Sequence, residues 1–523
     1  MIDISQDTES VFERASTLAS VEQQRRGFIP SASEKNDIDE TTSQLSSVLP
    51  GIDAEIERLH ALRERVRTQL DINNSIIAPV RRLPVEVTTQ IFLHISDDLR
   101  TPFDQSKTIA TTVGCVCLSW RNIAWSTPQL WNYISTSEFY ELPYKIPSFA
   151  EQAVLSGTLP LHLSHLRCFD EVLPVQLLEE LRPHAARWEF LEIGALHSVL
   201  DAIPVIDLPN LDEAHLALMS PSRSGSLYFL AGASALRRLS VKMVQDPTDD
   251  GFHPEMLQIP PFSSLVYLTL SLPMSDRMGI SLREILSALS HCSSSLAYLE
   301  VSGNILDIES GTPSLVMTNL VVVDVGETAL ILLMHVAAPD LEELILRDRH
   351  GTEDNSLLLL SAFLSYPAYA GDHRLQRLTL DKLWVHDTEL LLRCLEQLKG
   401  LRELRIESSS QYNFLTWDDA MLDRLTCTEN QMPLLPELSK LVLRFWQHRL
   451  LQMIEDPLRA MLESRKTSRV CASCNVSALE NIEVILGMPG HEHRDVNWDY
   501  KTGRITRLAR ASPGFFEEER DIE

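Results

Sequence analysis

The chain has 523 residues, 44% of them hydrophobic, which is enough for more than one domain and a sizeable core. Its net charge of −27 argues against an electrostatic grip on nucleic acid or anionic lipid, because phosphate binding needs clustered Lys and Arg. The eight cysteines are scattered, several of them in apolar periodic segments, which does not make a disulfide framework. The opening residues Met1 to Glu9 are acidic and lack the basic region and apolar stretch of a signal peptide. The longest apolar run, Ala329 to Ala338, is about half a membrane span and contains His335. Together these features predict a soluble protein of the reducing cytosol or nucleus, with neither a membrane nor a nucleic-acid partner.

Residues 1–45 are acidic, rich in Ser, Thr and Asp, and poor in large apolar side chains, so a disordered N-terminus is expected there. A coherent pattern starts at Leu49. Leu49, Ile52, Ile56, Leu59, Arg63, Val66, Leu70, Asn73 and Ile77 alternate at spacings of three and four, a heptad pattern with two polar seam positions. A helix over 46–79 follows, stopped by Pro79. Two readings fit it. The favoured one is a single long helix folded onto its own chain; the other is a two-stranded coiled coil, a weak homodimer through residues 49–77.

Residues 80–135 carry the most specific pattern. Pro84 sits where a first-turn proline loses no hydrogen bond, and Glu86 puts negative charge at a helix start. Val87, Ile91, Phe92 and Ile95 draw an apolar stripe on one helix; Val113, Val116, Cys117, Trp120, Ile123 and Ala124 draw a second. Two such stripes cannot bury each other fully in so small a unit, and apolar surface left open marks a partner site. The order Leu83-Pro84-Val85-Glu86, Ile91-Phe92, Val116-Cys117 with Trp120-Arg121, and Pro128-Gln129-Leu130-Trp131 closely resembles an F-box. Gly27 to Ser31, Ile52 to Leu59 and Pro79 to Pro84 extend the likeness to a group of F-box proteins from mushroom-forming fungi, whose C-terminal part is commonly leucine-rich. The resemblance implies a plug that docks a Skp-type adaptor and, through it, a cullin ligase. Leu83, Pro84, Glu86, Ile91, Phe92 and Trp120 would carry or frame that docking, and Trp131 would lock the unit.

Residues 136–505 hold an irregular internal repeat, an apolar residue followed by two more at offsets three and five. It reads Trp188-Leu191-Ile193, Leu236-Leu239-Val241, Leu265-Leu268-Leu270, Leu296-Leu299-Val301 and Leu320-Val323-Val325. It continues as Leu341-Leu344-Leu346, Leu375-Leu378-Leu380, Leu401-Leu404-Ile406, Leu438-Leu441-Leu443 and Leu479-Ile482-Val484, with Leu211-Ala214-Leu216 a weaker copy. Successive units lie between 21 residues (Leu320 to Leu341) and 41 residues (Leu438 to Leu479) apart. Helical stretches fall between them at Ser281 to Leu289, Asn355 to Phe363, Thr388 to Leu398 and Leu458 to Leu462. The expected fold is α/β: a long N-terminal helix and a helical F-box, then an irregular, horseshoe-like leucine-rich-repeat solenoid, with a tail over 506–523. The rival is an unrelated α/β domain with buried leucine-rich strands. Of the side chain expected after each strand in that family, only Asn304 is present.

Strand alternation puts His215, Lys242, Tyr267, Tyr298, Glu300 and Asp324 on the solenoid's inner surface, followed by Arg347, Arg377, Asp381, Arg405, Glu407, Lys440 and Arg444. Two readings of this face are open: a solvated face of neighbouring ladder pairs, or a partly basic surface for an acidic or phosphorylated segment of an unknown protein substrate. On the second reading Tyr267, Tyr298, Arg347, Arg377, Arg405 and Arg444 are the candidate contacts. His491-Glu492-His493-Arg494-Asp495 begins like a metallo-hydrolase run, but Val496 stands where that run needs His. Cys471 and Cys474 suggest zinc only by composition. There is no phosphate loop and no nucleophile elbow, so no catalytic residue, cofactor or metal is assigned. The reading is a non-enzymatic substrate receptor of an SCF-type ubiquitin ligase. The alternatives are an interaction scaffold without ligase recruitment and, more remotely, a metal-dependent hydrolase.

Overall fold

The computed structural model describes residues 4–98, 109–136, 147–166, 172–219, 225–244, 257–272, 280–306, 315–348, 356–365, 374–381, 388–407, 419–428, 432–445, 448–471, 474–486, 495–499 and 504–508. They fall into two compact units, Met1–Thr88 and Thr89–Glu523.

The first unit is helical: α1 spans Ile4–Leu18, α2 Val21–Arg25 and α3 Ala32–Ile77. This corrects the expectation of a disordered 1–45. Composition misses two capping boxes, Ser20 with Gln23 and Ser31 with Glu34, which satisfy the free N–H groups at the starts of α2 and α3. It also misses Phe12, which with Thr8 and Glu9 faces Leu45, Val48, Leu49 and Ile52 across an apolar groove. Arg14 reaches Glu40 at 4.0 Å, so α1 runs antiparallel to α3. The heptad helix therefore starts at Ala32, earlier than expected, and continues through Pro50 to Ile77, where Pro79 opens a 3-10 turn, Pro79–Arg82. Helix α4, Val85–Asp98, crosses the division between the units.

In the second unit the stripe expected over Val113 to Ala124 is broken into α5, Ile109–Gly114, and α6, Leu118–Trp125. Cys117 caps α6 with extended backbone (φ −163°, ψ 168°), and the Arg121 guanidinium donates to the Gly114 carbonyl at 2.9 Å across the break. Phe92, Val113, Ile123, Ala124, Leu130 and Trp131 are buried together.

The rest of the unit is built on one sheet of 13 strands, hydrogen-bonded in chain order from Tyr133–Ser135 to Asn481–Leu486. Every neighbouring pair within it is parallel. All eleven apolar units read from the sequence are strands of this sheet, in order. Their central residues form one buried rung, from Leu191 through Leu239, Leu299 and Leu378 to Ile482. Two strands precede them, Tyr133–Ser135 and Leu161–His165. A fully buried Leu is worth about 1.5–3 kcal/mol over an exposed one, so the rung sets the register of the whole stack.

Helices Leu282–His291, Ser356–Leu364 and Thr388–Glu396 lie close to the spans expected for them, whereas His448–Ser464 begins ten residues before the expected Leu458. Their Ile285, Leu289, Leu360, Leu391, Leu395 and Leu458 join the core under the sheet. The turns between repeats are tied to one another. Ile305 N–H donates to Thr328 Oγ1 at 2.7 Å, and the Thr328 hydroxyl lies 3.2 Å from Asn304 Oδ1, one repeat back. Gly303 in that turn has φ 97°, and a Cβ there would lie 2.2 Å from the Leu272 carbonyl oxygen, so only glycine fits.

Candidate functional site

One sheet face is packed on the core; the other carries the side chains that alternate with the leucines. Register sorts these into three lines. The first runs His162, Phe190, Glu213, Arg238, Tyr267, Tyr298, Val322, Glu343, Arg377, Glu403 and Lys440. The second passes through Glu192, His215, Thr269, Glu300, Asp324 and Arg405, and the third through Lys242, Ser271, Ser302, Gly326, Arg347, Asp381, Glu407 and Arg444.

All six candidate substrate contacts lie on this face, but the arginines do not form one line. Arg377 is in the first, Arg405 in the second, Arg347 and Arg444 in the third. Most are paired across strands. Arg377 meets Glu343 at 2.8 Å, Arg444 meets Glu407 at 3.2 Å, Lys440 meets Glu403 at 2.8 Å, and Arg347 meets Asp324 at 2.5 Å. Arg405 is exposed and has no ion pair among the described residues. These pairs are the sheet's analogue of helical ion pairs and offset most of the positive charge expected of the row. Glu343 and Glu403 were overlooked, although the offset that picks out Arg377, two residues past the first apolar position, applied to every unit names both.

Aromatic rings occupy the first half of the face. Phe190 lies between His162 and His215, with centroids 5.8 and 5.4 Å away. Tyr267 and Tyr298 pack at 5.8 Å, and the Arg238 guanidinium lies 5.2 Å from the Tyr267 ring centre. Two carboxylates here are perturbed. Burial raises Glu192, opposed by the Ser164 hydroxyl that donates to it at 2.8 Å and by His215. Asp324 was expected on the surface but is only 2% exposed. Burial pushes it up to about 7; Arg347 opposes this, while Glu300, Asp381 and Glu343 add to it. Tyr298, whose hydroxyl donates to Glu300 at 3.1 Å, is held above the ordinary phenol range, first by burial and then by Glu300.

The candidate adaptor residues divide by exposure. Leu83, Pro84 and Glu86 are exposed in the first unit. On α4, Val87, Ile91 and Ile95 are also exposed, Ile91 by 40%, whereas Phe92 is buried. Trp120, half-buried, meets Phe92 edge-on at 5.1 Å. Trp131 is fully buried and donates its indole N–H to the Ala124 carbonyl at 2.8 Å. Phe92 and Trp131 therefore support the segment from within, and the open apolar side chains include, besides Val87, Ile91, Ile95 and Val116, the unforeseen Leu118 and Trp125. On α3, the seam residues Ile56, Leu59, Val66, Leu70 and Ile77 are exposed.

No group of three or more His, Cys, Asp or Glu side chains among the described residues is placed to hold a metal. His491 and His493 lie outside the described residues, and Cys471 and Cys474 are partners in a short antiparallel pair of strands. No helix among the described residues is long and apolar enough to cross a membrane. In comparisons with known proteins, neither a protein-family model nor a curated protein matches the chain.

Proposed function

We propose that this protein is the substrate-recognition subunit of an SCF-type ubiquitin ligase. Residues 80–135 act as an F-box that docks a Skp-type adaptor, and through it a cullin ligase, while a leucine-rich-repeat solenoid binds a protein substrate. The observation that carries this reading is the division of labour within the F-box-like segment. Phe92 and Trp131 are buried as anchors, while Ile91, Leu118 and Trp125 leave large apolar side chains in solvent. Exposed apolar groups at that density serve a partner. The parallel sheet, whose face opposite the core carries aromatic and charged side chains, supports the second half of the reading.

A pull-down of the intact protein with purified Skp-type adaptor tests it. Binding that is lost on joint Leu83→Ala and Pro84→Ala substitution is expected; no binding by a folded wild-type protein would sink the proposal. A second reading, a scaffold that self-associates, is favoured by the exposed α3 seam. Light scattering on the intact protein separates the two, since a strict monomer at high concentration removes it.

A further inference from the structure

Helix α3 is covered over only part of its length. Its Leu45, Val48, Leu49 and Ile52 face Phe12 of α1 across an apolar groove. Beyond that groove every residue from Ile56 to Ile77 is exposed, all round the helix. A solitary helical stretch is marginal in water, because helices draw most of their stability from packing an apolar face. This stretch has such a face. Leu59, Val66, Leu70 and Ile77 continue the heptad seam where α1 leaves it, and all four are open to solvent. The seam positions form two alternating sets, Ile56-Arg63-Leu70-Ile77 and Leu59-Val66-Asn73.

The two polar seam residues choose what covers it. Arg63 makes no ion pair among the described residues, and the positions three and four away on its own helix (Leu59, His60, Val66 and Arg67) offer no carboxylate. Asn73 Oδ1 receives the Gln69 amide at 3.0 Å and keeps a second lone pair. In a parallel pair each seam residue faces its own copy, which would set Arg63 against Arg63. In an antiparallel pair one set faces the other, and a single register brings the polar residues together. There Arg63 meets the partner's Asn73, Val66 its Leu70 and Leu59 its Ile77, and the two-fold axis repeats these contacts. Sliding by one heptad would put Arg63 against the partner's Val66 or Val80. The same register lays Leu62 against the partner's Ile76 beside the seam, covering two further exposed apolar side chains. On the other flank Arg67 approaches its own copy, with Glu64 and Asp71 of its own helix three residues before it and four after. We propose that α3 pairs antiparallel with the α3 of a second copy of this chain over residues 59–77, Arg63 of each copy donating to Asn73 of the other. The inference deepens the reading of the α3 seam as a self-association surface and rests on it; ligase recruitment does not enter.

The test is sedimentation equilibrium on the full-length protein over a range of concentrations, with helix content followed by circular dichroism. Wild type is expected in a monomer–dimer equilibrium. Asn73→Glu puts a carboxylate opposite the partner's Arg63 twice per dimer and should tighten association about tenfold. In a parallel dimer the same substitution sets carboxylate against carboxylate and would loosen it. A second set of variants reads the flank. Leu62→Glu alone should weaken the dimer about tenfold, since the apolar contact is lost twice. Joint Leu62→Glu and Ile76→Lys should recover most of that loss, because the new charges lie opposite each other in the antiparallel register. A parallel dimer would instead bring Glu at 62 beside the partner's Arg67 and tighten. Loosening by Asn73→Glu, or no recovery in the joint variant, overturns the antiparallel pairing while self-association stands. Wild type and Asn73→Glu both monomeric at the highest concentration reached would overturn the pairing and the self-association reading together. A dimer indifferent to all these substitutions places the contact elsewhere and also overturns the proposal.

Discussion

Replacing Asp324 by Asn is the sharpest test of the electrostatics of the sheet face. Asp324 titrates near 7 in the folded protein against an ordinary 3.8, because burial outweighs its pairing with Arg347. A carboxyl whose pKa is raised on folding binds more protons folded than unfolded between those two values, so its contribution to stability falls as pH rises from about 4 to 7. At about 1.4 kcal/mol per pH unit the full loss is about 4 kcal/mol, as an order of magnitude, and about 2–3 kcal/mol of it falls between pH 5 and 8. Asn keeps the shape and carries no charge at any pH. Arg347, about a third exposed, can turn its guanidinium to water at a cost of about 1 kcal/mol or less. The expected result is that Asp324→Asn gains on wild type by about 2–3 kcal/mol from pH 5 to pH 8. Urea denaturation at several pH values measures this, with hydrogen exchange on the peptide containing residues 322–326 as the local reading, because a chain of this size need not unfold in one step. A difference between the two proteins that stays constant across that range would refute the reasoning and show that Arg347 keeps Asp324 ionised.

Four further outcomes follow from particular residues. Arg465, fully buried, donates Nε to the Leu425 carbonyl at 2.7 Å and Nη1 to the Leu435 carbonyl at 2.9 Å, and Nη2 to the Leu434 carbonyl. Arg465→Met strands the Leu425 and Leu434 carbonyls, while that of Leu435 keeps the Leu438 N–H, and should cost about 2–4 kcal/mol, read as faster exchange in residues 419–486, where unchanged exchange would show that water replaces the guanidinium. Arg405→Glu, at an exposed position without an ion pair among the described residues, should stay within about 0.5 kcal/mol of wild type in thermal unfolding, while Arg377→Glu places a carboxylate against Glu343 and should cost about 1–2 kcal/mol. Leu59→Glu with Val66→Glu on α3 should remove any dimer seen by sedimentation without lowering helix content, and persistence of a dimer would put the contact elsewhere.

The sheet was legible because one simple constraint repeats. Each strand buries apolar side chains at offsets three and five, and a parallel strand cannot slip without turning every one of them outward. Leu378, Leu404 and Leu441 therefore announce both a strand and its register. Tyr133–Ser135 and Leu161–His165 stayed hidden because Thr136 and His165 stand where the last apolar residue of the pattern should follow Ile134 and Leu163. Helix α1 was hidden for a different reason. It lies along residues of α3 far away in the sequence, with Arg14 reaching Glu40, and composition does not register such pairings.

The sheet face opposite the core was legible in position but not in its charge pairing. Alternation gives the side of the sheet on which Arg347 and Asp324 lie, but which carboxylate meets which guanidinium depends on neighbours 23 or 34 residues away in sequence. Arg347 pairs diagonally to Asp324, in a different line of the sheet, whereas Arg377 pairs straight across to Glu343. Directly opposite Arg347 stand Gly326, which has no side chain to offer, and on the other strand Asp381. The pairing with Asp324 leaves Asp381, the other neighbour in the line, with an enclosed oxygen and no donor.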